Sequence, residues 1–260
     1  FDMKKLYILL FTILISGLSF GQVFITELAD PNNDATARYI ELYNAGTSAV
    51  DFTEGTGWRI DKYTNASATV SQTLALTGTI PAGGFYIIAT GATSTVIFNT
   101  WGVTPDQWDG AVNDVAGSNG DDNLELYDGT NTLVDQFGVP GEDGNATLTC
   151  HEFEDGRAER KPGTTSGNPI WDEAEWNVWS DSASATCTSH ITSPQDAPGI
   201  FDPGSWLGTN TDPTLTIFDG PANGSSVIDD PETATQATID FTTTNFIMSN
   251  DAGGGVSDFS

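Results

Sequence analysis

Short apolar runs of period two, each cut off by turn residues, constrain the fold of this chain more than any other feature. Residues 23–29, 38–44, 57–63, 85–90, 123–127 and 132–137 are β-branched or aromatic runs bounded by Gly, Asn, Asp or Pro. Ile40 and Leu42 alternate with Tyr39, Glu41 and Tyr43, and Leu124 and Leu126 alternate with Asn123 and Glu125. Such alternation predicts strands with one face buried and the other wet, as in a sandwich of antiparallel sheets. Asp128-Gly129-Thr130-Asn131, between the last two runs, predicts a hairpin. No long helical period interrupts the pattern, so the predicted fold class is all-β.

Upstream of the first strand, Met3 is followed by Lys4 and Lys5 and then by an apolar run from Leu6 to Leu18. That is a charged n-region and an h-region too short for a membrane span. Ser19-Phe20-Gly21 then supplies small residues at the minus-three and minus-one positions. The pattern predicts a signal peptide over 1–21, cleavage before Gln22, and no membrane span in what remains. Phe1 and Asp2 precede the initiator-like Met3 and read as upstream read-through. The expected location is extracellular, secreted or at the cell surface.

The charge balance narrows the partners. The chain has 36 acids and 8 bases; without residues 1–21, which hold Asp2, Lys4 and Lys5, 35 acids and 6 bases remain, a formal charge of −29. Phosphate recognition runs on clustered Lys and Arg that release counterions. Only Arg157, Arg160 and Lys161 cluster here, so nucleic acid is not expected as a partner. So much acid favours solubility and attracts cations. With 38% hydrophobic residues and 14 Phe, the chain still has the material for one sizeable core.

In order along the sequence stand Phe24-Ile25-Thr26-Glu27-Leu28, Tyr39-Ile40-Glu41-Leu42-Tyr43-Asn44, Gly57-Trp58-Arg59-Ile60 and Ile80-Pro81-Ala82-Gly83-Gly84-Phe85-Tyr86-Ile87-Ile88-Ala89. Asn99-Thr100-Trp101-Gly102 and Asn123-Leu124-Glu125-Leu126-Tyr127 extend the series. The ordered set, over about 22–137, resembles the lamin tail domains found on secreted bacterial proteins. Seven or so short strands in roughly 115 residues also fit immunoglobulin-like spacing. The resemblance implies an immunoglobulin-like β-sandwich that tethers or recognises, with no catalytic residues to carry over. Trp58 and Tyr43 are then read as core aromatics.

Residues 138–193 hold Cys150, Cys187, the charged run 154–161 and three tryptophans. An Arg-Lys turn followed by Asp-x-x-Glu-Trp resembles the closing region of such domains, so 22–193 is taken as one lamin-tail-like domain with a disulfide-bearing extension. Residues 194–212, rich in Pro and Gly, read as a linker. A new β pattern from 213 to 260 resembles the opening of a bacterial immunoglobulin-like repeat and reads as a truncated second β-sandwich domain.

Candidate chemistry is sparse. Asp30, Asn32, Asp34 and Glu41 occupy positions one, three, five and twelve of an EF-hand-like loop, the oxygen set that calcium takes, although Ala35 stands where that loop turns on Gly. Asp114, Asp121 and Asp122 form a second acidic loop with less pattern. Cys150-His151 and Cys187 with His190 can be drawn as a zinc site, but an exported chain with an even cysteine count oxidises the pair, and a Cys150–Cys187 disulfide is expected. Trp171, Trp176 and Trp179 are either an aromatic platform for glycan or core filling beside that disulfide. Carboxylate pairs carry no information in a chain this acidic. No cofactor is required by this reading, with calcium the one candidate, and the chain is not expected to be an enzyme.

The expected function is a non-catalytic extracellular β-sandwich module for attachment, spacing or recognition within a larger secreted or surface protein, its ligand a protein or glycan surface. The alternative is an accessory domain of a secreted hydrolase, such as a nuclease, whose catalytic domain lies beyond residue 260.

Overall fold

A computed structural model describes residues 22–91, 96–110, 114–144, 149–180, 187–188, 190–192, 201–206, 214–218 and 240–244. The residues read as a signal peptide, 1–21, and most of those read as a linker lie outside these. The chain divides into two compact units, Phe1–Trp206 and Leu207–Ser260.

The first unit contains thirteen described strands: β1 Val23–Ala29, β2 Tyr39–Asn44, β3 Val50–Asp51, β4 Arg59–Tyr63, β5 Gln72–Ala75, β6 Thr79–Ile80, β7 Phe85–Ala89, β8 Gln107–Trp108, β9 Asn123–Tyr127, β10 Leu133–Phe137, β11 Arg157–Arg160, β12 Trp176–Ser180 and β13 His190–Thr192. A short helix, α1, spans Val96–Trp101. Seven strands form one sheet in the order β13-β12-β11-β1-β2-β7-β8, four form a second in the order β10-β9-β4-β5, and β3 pairs with β6. Within the large sheet only the edge pairs β12–β13 and β7–β8 run parallel. The fold is the all-β, immunoglobulin-like sandwich expected from the alternation. The hairpin at 128–131 forms, closed by Asn131 N–H to the Asp128 carbonyl, with Asn131 at φ +63°.

The core lies between the sheets. Ile25, Leu28, Ile40, Leu42, Ile88 and Val178 of the large sheet meet Ile60, Leu124, Leu126 and Phe137 of the small one. A bulge between Ile25 and Glu27 resets β1 halfway along. One extra residue reverses which parity points inward. Ile25 and Leu28 therefore both face the core, and Glu27 turns outward beside Glu41.

The expectation of a wet outer face fails on β2. Tyr39 and Glu41 are buried, at 1% and 0% exposure. A second layer covers them: Tyr39, Ile87 and Ile97 form an apolar cluster with Trp101, Trp108 and Phe201 packed against it. The period of two was real, but it marked polar-aromatic against aliphatic rather than water against core.

Residues 201–206 also contribute to this cover. Asp202-Pro203-Gly204-Ser205 makes a turn closed by Ser205 N–H to the Asp202 carbonyl, with Pro at the second position and Gly204 at φ +90°. That backbone region favours glycine, as type II turns require. Trp206 follows and packs its ring on Phe24 and Tyr43. The six described residues of the stretch read as linker, 201–206, thus belong to the first unit.

In the second unit, β14 Thr214–Phe218 and β15 Asp240–Thr244 form an antiparallel pair with Thr214 opposite Thr244.

Candidate functional site

Charged side chains in the first unit are turned inward, and their placement decides what each candidate site can do. Asp30 is buried, and its carboxylate accepts from Arg38 Nε at 2.6 Å and, at 3.4 Å, from the N–H of Asp155. Burial pushes its pKa up, with Arg38 pulling the other way. Arg38 itself reaches the Gly117 carbonyl and Asn33 Oδ1. Asp34 is engaged locally, accepting from the N–H and hydroxyl of Thr36, bonds that hold its pKa below the ordinary value. Asn32 sits at φ +52° in a single 3-10 turn, and Glu41 lies away on β2 under the second layer. The four residues proposed as calcium ligands are therefore near in sequence, but each carboxylate is aimed at a different protein partner. Among the described residues, Cys150, Glu173 and Cys187 are the one trio of His, Cys, Asp or Glu whose ligand atoms lie within 4.8 Å of one another.

Two members of that trio are joined. Cys150 and Cys187 form the expected disulfide, Cα–Cα 5.4 Å, closing a separation of 37 residues. Glu173 accepts from the N–H and hydroxyl of Thr188 beside it. His151 is buried and packs edge-on against Phe137 and Trp171. The three tryptophans do not share one surface. Trp176 is fully buried against Phe137, Trp171 is half-buried on the same core cluster, and Trp179 lies under the Arg157 guanidinium at 5.1 Å.

The second acidic loop closes around a cation. Lys62 Nζ donates to the Asp114 carbonyl at 2.7 Å and lies 3.3 Å from Asp122. Burial, then the charges of Asp122 and Asp143, pushes Asp121 up to about 6. Beside this loop lies a cleft of about 460 Å³ lined by Asn33, Arg38, Lys62, Gln72, Asp122 and Glu154 among others.

Sequence reasoning missed two constellations because the charged run 154–161 reads as holding an Arg-Lys turn and not as a strand. In the structure it holds β11, whose arginines point to opposite sides of the sheet. Arg160 is fully buried on the core side: Nη2 donates to both oxygens of Asp135, at 2.7 and 2.8 Å, Nε to the Ile25 carbonyl and Nη1 to Glu175. Asp135 also accepts the N–H groups of Ile25 and Asn168. One ion pair thus stitches β10 of the small sheet to β1 and β11 of the large one.

On the outer face, Arg157 donates to Glu27 at 2.9 Å, to Glu159 at 3.2 Å and to Asp202 at 2.7 Å. Glu41, on the same face, accepts from the Thr26 hydroxyl at 2.6 Å and the Gly204 N–H at 2.5 Å. The available signal was the alternation itself: Arg157 and Glu159 share one parity, Ala158 and Arg160 the other.

Among the described residues, no helix is long and apolar enough to cross a membrane. No curated protein matches the chain. Of solved structures, a DUF4876 family protein from Bacteroides thetaiotaomicron VPI-5482 is similar at 12% identity and a TM-score of 0.36, covering 69% of this chain and 70% of that one, a likeness too loose to build on. Residues 18–141, a little under half of the chain, match the family model of the Lamin Tail Domain, and it is to this family that the sandwich strands β1 to β10 are similar.

Proposed function

We propose that the chain acts outside the cell as a non-catalytic β-sandwich module that attaches, spaces or recognises, on behalf of a larger secreted or surface protein. The observation that carries the extracellular part is the Cys150–Cys187 disulfide. Cytosolic thiols are kept reduced, and a cross-link of this kind persists in oxidising compartments. The inward use of positive charge supports the rest. Arg38, Arg59, Lys62, Arg157 and Arg160 each bond a carboxylate, and Lys161 bonds the Ala174 carbonyl. Those are all six cations downstream of residue 21. Positive charge holds the domain together and leaves the surface to the acids, which suits a soluble spacer whose ligand is a protein or a glycan.

The test is to express the natural gene in its own cells, separate cytoplasm from exported material, and assay the exported protein for thiols and for retention on washed cell envelopes. Export before Gln22, no free thiol without reductant, and saturable retention are expected. Cytoplasmic protein with two free thiols would sink the extracellular reading. Hydrolysis of nucleic acid or polysaccharide by the purified chain would sink the non-catalytic one.

A further inference from the structure

The outer face of the large sheet carries an arrangement that a spacer does not require. Glu27 lies directly opposite Glu159 on β11 and directly opposite Glu41 on β2, so three glutamates stand side by side across three adjacent strands. Like charges directly opposite on a sheet repel even at a surface. Here Glu27 is 3% exposed and Glu41 0%. The segment 201–206 that covers them brings a fourth carboxylate, Asp202. A single guanidinium, Arg157, stands among the four.

We propose that the row Glu159–Glu27–Glu41 is a proton-dependent latch, holding residues 201–206 on the sheet while the row carries protons and loosening them as it ionises in full. The segment has two kinds of anchor. Gly204 N–H to Glu41 and Asp202 to Arg157 join it to the row. Phe201 against Trp101, and Trp206, with its ring on Phe24 and Tyr43 and its Nε1 donating to the Arg160 carbonyl at 2.6 Å, do not depend on protonation.

The Gly204 and Thr26 bonds by themselves favour the ionised Glu41, so release is driven by burial and like-charge repulsion, and protonation relieves both without losing the first kind of anchor. A neutral Glu41 accepts from Gly204 on one oxygen and keeps its short contact with Thr26 on the other, whichever of the two hydroxyls donates. Full ionisation instead places four negative charges against one positive charge beneath a cover that excludes water, where screening is weak. The groups facing Glu41 are Glu27 from β1, Tyr39 beside it on β2, Arg157 and Glu159 from β11, and Asp202 from the segment. Opposite it on β7 stands uncharged Ile87. Burial pushes Glu27 well above the usual carboxylate range, with Arg157 opposing; it pushes Glu41 up to about 7 and raises Glu159 as well. Tyr39 is pushed up by burial and stays neutral throughout.

The sign follows from linkage. A carboxyl whose folded pKa is raised stabilises the closed form fully below its ordinary pKa, near 4.5 for Glu41, and that contribution is lost as pH rises through about 7. Closure is therefore tightest in mild acid and weakest above neutrality.

The test labels the full chain with 5-fluorotryptophan, identifies the Trp206 fluorine signal with Trp206→Phe, and follows it from pH 4.5 to 8.5. The released signal is expected to grow about tenfold, with a midpoint near 7. Glu41→Gln, which keeps one oxygen to accept from Gly204, places an amide NH2 that can donate to the Thr26 hydroxyl and cannot ionise, is expected to hold the closed signal to pH 8.5. Should Glu41→Gln fail to fold by near-ultraviolet circular dichroism, Glu159→Gln is the second variant, and it is expected to move the midpoint downward and to shrink the pH-dependent change, because the Glu159 charge helps hold the Glu41 carboxyl up. A Trp206 signal unchanged with pH in the wild-type chain, or a pH profile identical in the folded variant and the wild type, overturns the latch.

Discussion

Asp135 and Arg160 are the residues on which the sandwich most depends. Asp135 accepts four hydrogen bonds with no exposure to water, two from Arg160 and two from backbone N–H groups on different segments. Removing one partner of a buried pair leaves the other charge uncompensated, which typically costs about 3–5 kcal/mol. Asp135→Ala is therefore expected to lower unfolding free energy by about that amount in urea titrations, and Arg160→Met with Asp135→Leu to lose less than Asp135→Ala alone. The Asp30–Arg38 pair makes a related claim about the loop after β1. Asp30→Ala leaves the 4%-exposed Arg38 without its carboxylate, so the melting temperature should fall by several degrees in EDTA as well as in millimolar calcium. A loss seen only with calcium would make that loop a metal site instead. Neither pair was legible in the sequence, because 35 acids offer a partner for every base and spacing cannot say which is chosen.

At the scale of elements, legibility followed how strongly each strand differs from its flanks. β1 and β9 have the predicted bounds, and β2, β4, β7 and β10 are within two residues of theirs. Each is apolar enough to show alternation between turn residues. β11 was missed because Arg157-Ala158-Glu159-Arg160 has three charges in four residues, a composition depleted in strands. Tertiary ion pairs overrode propensity there. β12 hid beneath its tryptophans, which were weighed as a glycan platform or as core filling beside the disulfide, and not as marks of a strand. The disulfide ties the loop before β11 to the segment before β13 and belongs to this scale. The loop-closure model gives about 4 kcal/mol for a loop of this length. Cys150→Ser with Cys187→Ser is expected to lower stability by about that much, read in urea titrations as a lower midpoint with a somewhat steeper slope, since the denatured chain without the cross-link exposes more surface. A shift below about 1 kcal/mol would place its value elsewhere than in stability.

For the molecule as a whole, charge makes the firmest prediction. With a formal charge of −29 downstream of residue 21 and every cation there engaged internally, duplex DNA is expected not to bind measurably at 150 mM salt, since no patch is left to release counterions. Micromolar binding in a fluorescence anisotropy titration would overturn that view of the surface. The architecture also sets an order of events. β1 occupies a central place in the large sheet, paired on one side with β2 just downstream and on the other with β11, Glu27 meeting Glu159. A ribosome delivers β1 early and its second neighbour only after more than a hundred further residues. Until then the strand offers an open edge that is apolar over most of its length, and such edges recruit other chains. The growing chain must therefore be kept from its siblings until residue 160 has emerged, and one stopped short of that point should aggregate where the longer one does not.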